Sequence, residues 1–186
     1  MPLVLRMLMI VAFALFTSEA WAATQAQVDS ARSAGIGWLL MHQRGDGSWQ
    51  SAPGTEVQTT ALVLDAFMNA GIAYGPFYGS AISWLKAADA PSVDSLSRKI
   101  IALSEAYALQ FFPVGPTSDL GGLISLKNNA YSATWGTYGD YGTSFPDTPL
   151  ALGAIRMSGY TYTNQSQDLA NSIYCNILPS QGTDGS

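Results

Sequence analysis

Two stretches of this chain align without gaps 88 residues apart, and that internal repeat constrains the fold more than any other feature of the sequence. Thr59-Thr60-Ala61-Leu62-Val63-Leu64-Asp65-Ala66-Phe67-Met68-Asn69-Ala70-Gly71 and Asp147-Thr148-Pro149-Leu150-Ala151-Leu152-Gly153-Ala154-Ile155-Arg156-Met157-Ser158-Gly159 match at Thr60/Thr148, Leu62/Leu150, Leu64/Leu152, Ala66/Ala154 and Gly71/Gly159. A second pair, Gln43-Arg44-Gly45-Asp46-Gly47-Ser48 and Gln181-Gly182-Thr183-Asp184-Gly185-Ser186, lies 138 residues apart. Both separations are whole multiples of one unit of about 45 residues, a length typical of helix-pair repeats. Parts of the intervening unit stand at Ala81-Ile82-Ser83-Trp84-Leu85 and between Ser97 and Leu109.

Within each unit the pattern predicts two helices joined by a Gly-rich turn. Gln25 to His42 contains no breaker other than Gly35 and Gly37 and runs into Arg44-Gly45-Asp46-Gly47, where glycine permits positive φ. Thr55 to Asn69 opens at a possible Thr cap, places Val57, Ala61, Leu64 and Met68 at helical spacing, and stops at Gly71. The second unit repeats this with Phe77 to Ala88 and Val93 to Phe111, closed by Pro113. The third has a weak Leu120 to Ala130, then Pro146 to Met157, with Pro149 in the first turn where it is tolerated. Gln165 to Leu178 opens a fourth unit. Runs such as Leu62-Val63-Leu64 and Ile100-Ile101-Ala102-Leu103 are too apolar for one-sided surface helices, so the second helix of each unit is expected to be covered on more than one side.

The stretch Ala34-Gly35-Ile36-Gly37-Trp38-Leu39-Leu40-Met41-His42-Gln43-Arg44-Gly45-Asp46-Gly47-Ser48-Trp49 resembles the Gln-Trp repeat of squalene-hopene cyclases, oxidosqualene cyclases and protein prenyltransferase β-subunits. The resemblance covers Val28 to Ser186. It implies an all-α fold, an α/α toroid of helix-pair repeats, here as an open partial ring of three pairs and the first helix of a fourth. The repeat residues it picks out are Gln43, Gly47, Trp49, Trp135, Gln181 and Gly185; near Trp135 the preceding Gln is absent. Such a motif is structural before it is chemical: a Gln amide can satisfy orphan backbone groups where one helix ends and the next begins, and a Trp ring can cover it from water.

The catalytic motifs of that family do not accompany the scaffold. Its cyclases protonate substrate with an Asp-x-Asp-Asp cluster, whereas Asp65, Asp89, Asp94 and Asp119 are isolated in this sequence. An Asp-Asp-x-x-Asp magnesium site is missing for the same reason. The family's zinc site needs Asp, Cys and His; the one cysteine, Cys175, and the one histidine, His42, stand in no such segment. Cys175 is followed by Asn176-Ile177-Leu178, not the Glu-Gln of the thioester proteins that share the fold. Asp46-Gly47-Ser48 lacks the acidic ladder of a calcium loop and reads as a turn. No catalytic residue, metal or cofactor is therefore assigned. His42 reads as a helix-end residue and Cys175 as a small packing residue.

One stretch invites a binding role. Tyr131 to Asp147 packs five aromatics into a Gly-rich connection leading to the helix at Pro146. The resemblance would set such a loop at the mouth of a central cavity, with Trp135, Tyr138, Tyr141, Phe145 and Asp147 as a ligand-binding rim. The plainer alternative is that Trp135 takes the place of Trp49 in a decayed repeat.

Composition and the N-terminus bound the setting. With 48% hydrophobic and 11% charged residues the chain is rich enough for a packed core, and a net charge of −5 without any Lys/Arg cluster argues against nucleic acid. Met1 to Arg6 carries one positive charge and Met7 to Phe16 is an apolar run too short to span a bilayer. Ala20-Trp21-Ala22 follows, so residues 1–22 read as a signal peptide cleaved after Ala22 and residues 23–186 as the repeat domain of an exported protein. An open arc would leave apolar helix faces at its ends, which points to self-association through those ends or to a chain that continues past Ser186. Two functions stand open at this stage. One is a non-catalytic exported scaffold for a protein or an apolar small molecule. The other is the N-terminal half of a terpene-cyclase-like enzyme whose catalytic residues lie beyond Ser186.

Overall fold

A computed structural model describes residues 23–108, 117–128, 134–139, 142, 144 and 146–159. Residues 1–22, read from the sequence as a signal peptide, the helix expected at Gln165 to Leu178, Cys175 and the Gln181 to Ser186 stretch lie outside them. Six helices are present among the described residues and no strand: α1 (Gln25–Met41), α2 (Glu56–Asn69), α3 (Pro76–Ala87), α4 (Val93–Ala108), α5 (Thr117–Ser125) and α6 (Asp147–Met157). The fold is all-α, as the periodicity predicts. None of these helices is long and apolar enough to cross a membrane.

The chain divides into two compact units, residues 1–38 and 39–186. The described part of the first is residues 23–38, most of α1. Its start is a reciprocal cap: the Gln27 amide nitrogen donates to Thr24 Oγ1 at 3.3 Å while the Thr24 amide donates to Gln27 Oε1 at 2.8 Å. No side chain of α1 is buried.

In the second unit α4 is the central element. It packs most extensively on α2 to one side and α6 to the other, with α3 against α2 and α4, and α5 against α4. The second helices of successive units thus stand side by side in one row. Burial follows: from Val93 to Ala106 every residue of α4 is buried except Asp94, Arg98, Ile101 and Glu105. Those four recur at steps of four, three and four residues, a single narrow stripe along the helix. The apolar runs of α4 are covered on several sides, as expected, whereas in α2 Val63 and Leu64 are buried and Leu62 is 49% exposed.

Helix ends follow from local chemistry. Gly71 (φ 69°) lets α2 close with a Schellman pair, its amide on Met68 O at 3.0 Å and that of Ile72 on Phe67 O at 3.0 Å. Gly159 (φ 67°) repeats the first of these bonds on Arg156 O at 3.1 Å. At the start of α4, Ser92 and Ser95 cap each other reciprocally. Two expectations need correction. The α5 helix spans Thr117–Ser125 instead of Leu120 to Ala130; Leu126 turns the chain and Asn128 bridges to Thr134. Thr55 precedes α2 but does not cap it, because its hydroxyl is turned back to the Ala52 backbone.

Candidate functional site

The repeat turn at Gln43 to Trp49 is held both within itself and to the following helix. Asp46 Oδ1 accepts from the Ser48 amide at 2.9 Å and the Ser48 hydroxyl at 2.7 Å, and these bonds hold its carboxyl below the usual range. Gly47 sits at φ 96°, and a Cβ there would lie 2.5 Å from the Ser80 carbonyl oxygen of α3. The turn therefore rests directly on the backbone of the next unit's first helix. Gln43 completes the link, its Nε2 donating to Gly47 O and to Phe77 O, both at 2.9 Å. The division of labour differs from the expectation: Gln43 joins its turn to α3, and at the end of α1 the Leu39 carbonyl accepts from the His42 amide at 3.1 Å and from the Trp49 indole N–H at 2.7 Å.

Trp135 does what Trp49 does. The Trp49 amide donates to Thr60 Oγ1 at 2.9 Å and the Trp135 amide to Thr148 Oγ1 at 3.1 Å. Each Thr hydroxyl donates back to its Trp carbonyl, and the Trp135 indole donates to Leu123 O in α5 at 2.8 Å. The same three bonds thus tie the Trp to both helices of its pair in each copy, two to the Thr of the second helix and one to a carbonyl of the first, which explains why Thr60 and Thr148 match. Trp135 is fully buried amid Leu96, Ile100, Leu120, Leu123 and Ile155. Its ring and polar atoms are committed to the core, so it occupies the Trp49 role and not a ligand-accessible rim. Of the other rim residues, Tyr138 is 45% exposed, and buried Asp147 accepts from the Thr137 hydroxyl at 3.1 Å. Tyr141 and Phe145 fall outside the described residues. His42 is exposed at the end of α1.

An apolar recess lies elsewhere, on the open stripe of the α2, α4 and α6 row. Ala61, Leu62 and Asp65 of α2, Arg98, Ile101 and Ala102 of α4, and Leu150 of α6 enclose a mostly apolar recess of about 150 Å³. The matched pair Leu62/Leu150 forms its two flanks. At the α2 side stands Asp65, whose Oδ1 accepts from Asn69 Nδ2 at 2.6 Å. On α4 stands Glu105, whose Oε2 is buried without a partner. Burial first, and then the Asp65 charge and the shared hydrogen bond, raise the Glu105 carboxyl above its ordinary range. Arg98 is engaged by Asp94 at 2.9 Å.

A second, wider recess is bordered by Arg44, Asp46, Glu56, Trp84 and Asp89. Arg44 donates there to Gln50 at 2.8 Å, and Gln50 in turn donates to Glu56 at 2.6 Å, so much of its polar lining is internally paired. Buried Lys99 is likewise structural, donating to Ala88 O at 2.9 Å and Asp119 at 3.1 Å and so tying α3, α4 and α5 together. Among the described residues no three His, Cys, Asp or Glu side chains converge in a way that would hold a metal ion. The Asp65–Glu105 pair is not apparent from any local motif; the one signal is that the two residues stand about one repeat unit apart, on second helices of neighbouring units.

Comparison with known proteins finds no matching family model, no matching curated protein and no matching solved structure.

Proposed function

We propose that the chain is an exported helical-repeat module of the squalene cyclase and prenyltransferase type, an α/α toroid built from helix pairs, whose work is to bind rather than transform its ligand. The ligand is an apolar small molecule or an apolar segment of a protein, taken up on the surface where α2, α4 and α6 meet. The observation that carries this reading is the recess itself: apolar side chains of three consecutive second helices lie open there, among them half-exposed Leu62. An exposed apolar concavity with a few polar groups at one edge is the ordinary form of a small-molecule site. The doubled Trp–Thr unit supports the scaffold half of the proposal, because it joins the turn to the second helix in the same way in both copies.

The test is a titration of the purified protein with the neutral apolar fluorophore N-phenyl-1-naphthylamine. Saturable binding is expected, and Leu62→Asp should abolish it with the helical circular dichroism unchanged, since Leu62 is half exposed and the fold does not need it. Binding that is indifferent to Leu62→Asp and to Leu150→Asp would show that the recess is not the site.

A further inference from the structure

The residues that line the recess are unevenly buried, and the difference sets its depth. Ala61 of α2 and Ala102 of α4 are 2% and 1% exposed, whereas Leu62 is 49% exposed and Ile101 and Leu150 are half-buried. Lining residues almost without solvent contact stand at the bottom of a concavity and the more exposed ones at its mouth. Two alanine methyl groups therefore form the floor, and three longer aliphatic side chains form the walls. A longer side chain at either floor position would occupy the space that the alanines leave. The polar side chains at the recess are Asp65 and Arg98; Asn69 donates to the first at 2.6 Å, and the second donates to Asp94 at 2.9 Å.

Resting on the binding function proposed above, we propose that the recess selects its ligand by size: it seats one compact apolar group of a small molecule, a single ring or a chain end of about six carbons, and Ala61 and Ala102 set that limit. The limit follows from the volume. About 150 Å³ of apolar space is the room that one benzene ring takes in a protein interior. Within the recess each further carbon leaves water for the aliphatic walls and strengthens binding. Carbons beyond the limit stay at the mouth, still in contact with water, and add little. A peptide segment suits the recess less well than a small molecule. It would bring backbone N–H and C=O groups to a mouth whose two polar side chains are already engaged, and groups buried there without partners weaken binding.

Competition against bound N-phenyl-1-naphthylamine in the intact protein tests this with the straight-chain series 1-butanol, 1-hexanol, 1-heptanol, 1-octanol and 1-decanol. The concentration that displaces half of the fluorophore is expected to fall roughly fourfold for each added CH₂ up to 1-hexanol, and by about twofold at most from there to 1-decanol. A steady fall through 1-decanol overturns the proposal without reliance on any variant, and the apolar-ligand reading survives that result because the alcohols still compete. Ala102→Val raises the floor and, with the helical circular dichroism unchanged, should bring 1-hexanol level with 1-butanol. Ala102→Gly, which cannot overpack the fold, lowers the floor and should carry the fall on to 1-heptanol. A limit that moves in neither variant overturns the role given to the floor, and the size proposal with it. Failure of the fluorophore to bind at all defeats the underlying reading as well.

Discussion

Replacement of Gly47 by alanine isolates the contact on which the repeat joint depends. Two costs combine at that position. The backbone is at φ 96°, a conformation that carries a penalty of about 1–3 kcal/mol for a residue with a Cβ. The new Cβ would also lie 2.5 Å from the Ser80 carbonyl oxygen and 2.6 Å from its carbon, so the turn and α3 must separate. Overpacking of that kind costs about 1–3 kcal/mol, and the obstacle is main chain, which cannot rotate away. The sum, roughly 2–6 kcal/mol, is a large part of the 5–15 kcal/mol typical of a domain. Gly54 is the internal control: it too has positive φ (79°), but a Cβ there meets nothing within 4 Å. Gly54→Ala should therefore show the backbone penalty alone. Urea unfolding of both variants, followed by tryptophan fluorescence and circular dichroism, compares the midpoints at constant slope. Ser80→Gly should not rescue Gly47→Ala, because the clash is with the peptide group and not mainly with the Ser80 side chain. If Gly47→Ala is no less stable than Gly54→Ala, the turn does not bear on α3 as described.

Three further outcomes are expected. Thr60→Val and Thr148→Val should each cost about 1–3 kcal/mol in urea unfolding, because each leaves the buried amide and carbonyl of its Trp without their hydroxyl partner; unequal costs would argue that the two copies are not equivalent joints. Gln43→Glu, nearly isosteric, should be more damaging at neutral pH than Gln43→Ala, since a carboxylate faces the Gly47 and Phe77 carbonyls without a donor; comparison of the two unfolding midpoints checks it. Glu105→Gln should change the pH dependence of stability. The folded state holds the Glu105 proton to higher pH than the unfolded chain, whose value is 4.5, so this group's contribution is present below that value and is lost as pH rises through the window up to the raised folded value. The variant should gain relative to wild type across that window and keep the gain above it, and parallel curves for the two proteins would contradict the assignment.

The helical part of the fold was legible because its signals are local. Glycine after a helix, as at Gly71 and Gly159, and apolar residues at helical spacing act within a few residues, and they place α2, α3 and α6 to within one residue at each end. The errors arise where tertiary contacts override local preference. Thr55 has the side chain of a cap, yet its hydroxyl is drawn back to Ala52 by the turn that precedes α2. The α5 helix stops at Ser125, and Asn128 then pairs with Thr134, a contact that no propensity in Leu120 to Ala130 announces. Gln43 was recognisable as a joint residue, but its partner Phe77 is 34 residues away, and the sequence near Gln43 does not say which helix it will reach.

The recess was illegible for a related reason, and its position shows where to look in chains of this kind. A search for catalytic or binding carboxylates by motif examines spacings of a few residues, suited to one helix or one loop. In a helix-pair array, neighbours across the row of second helices are separated by about one repeat, so the informative spacing is near 45 residues, and residues that share a surface look isolated in the sequence. Asp65 and Glu105 meet in this way, and Leu62 and Leu150 flank the same recess from two repeats apart. The aromatics between Tyr131 and Phe145 are close in sequence, yet the largest of them, Trp135, is spent on holding the repeat together. In such a fold a conspicuous local tryptophan can serve the joint, while an open apolar surface is assembled from single positions on successive helices.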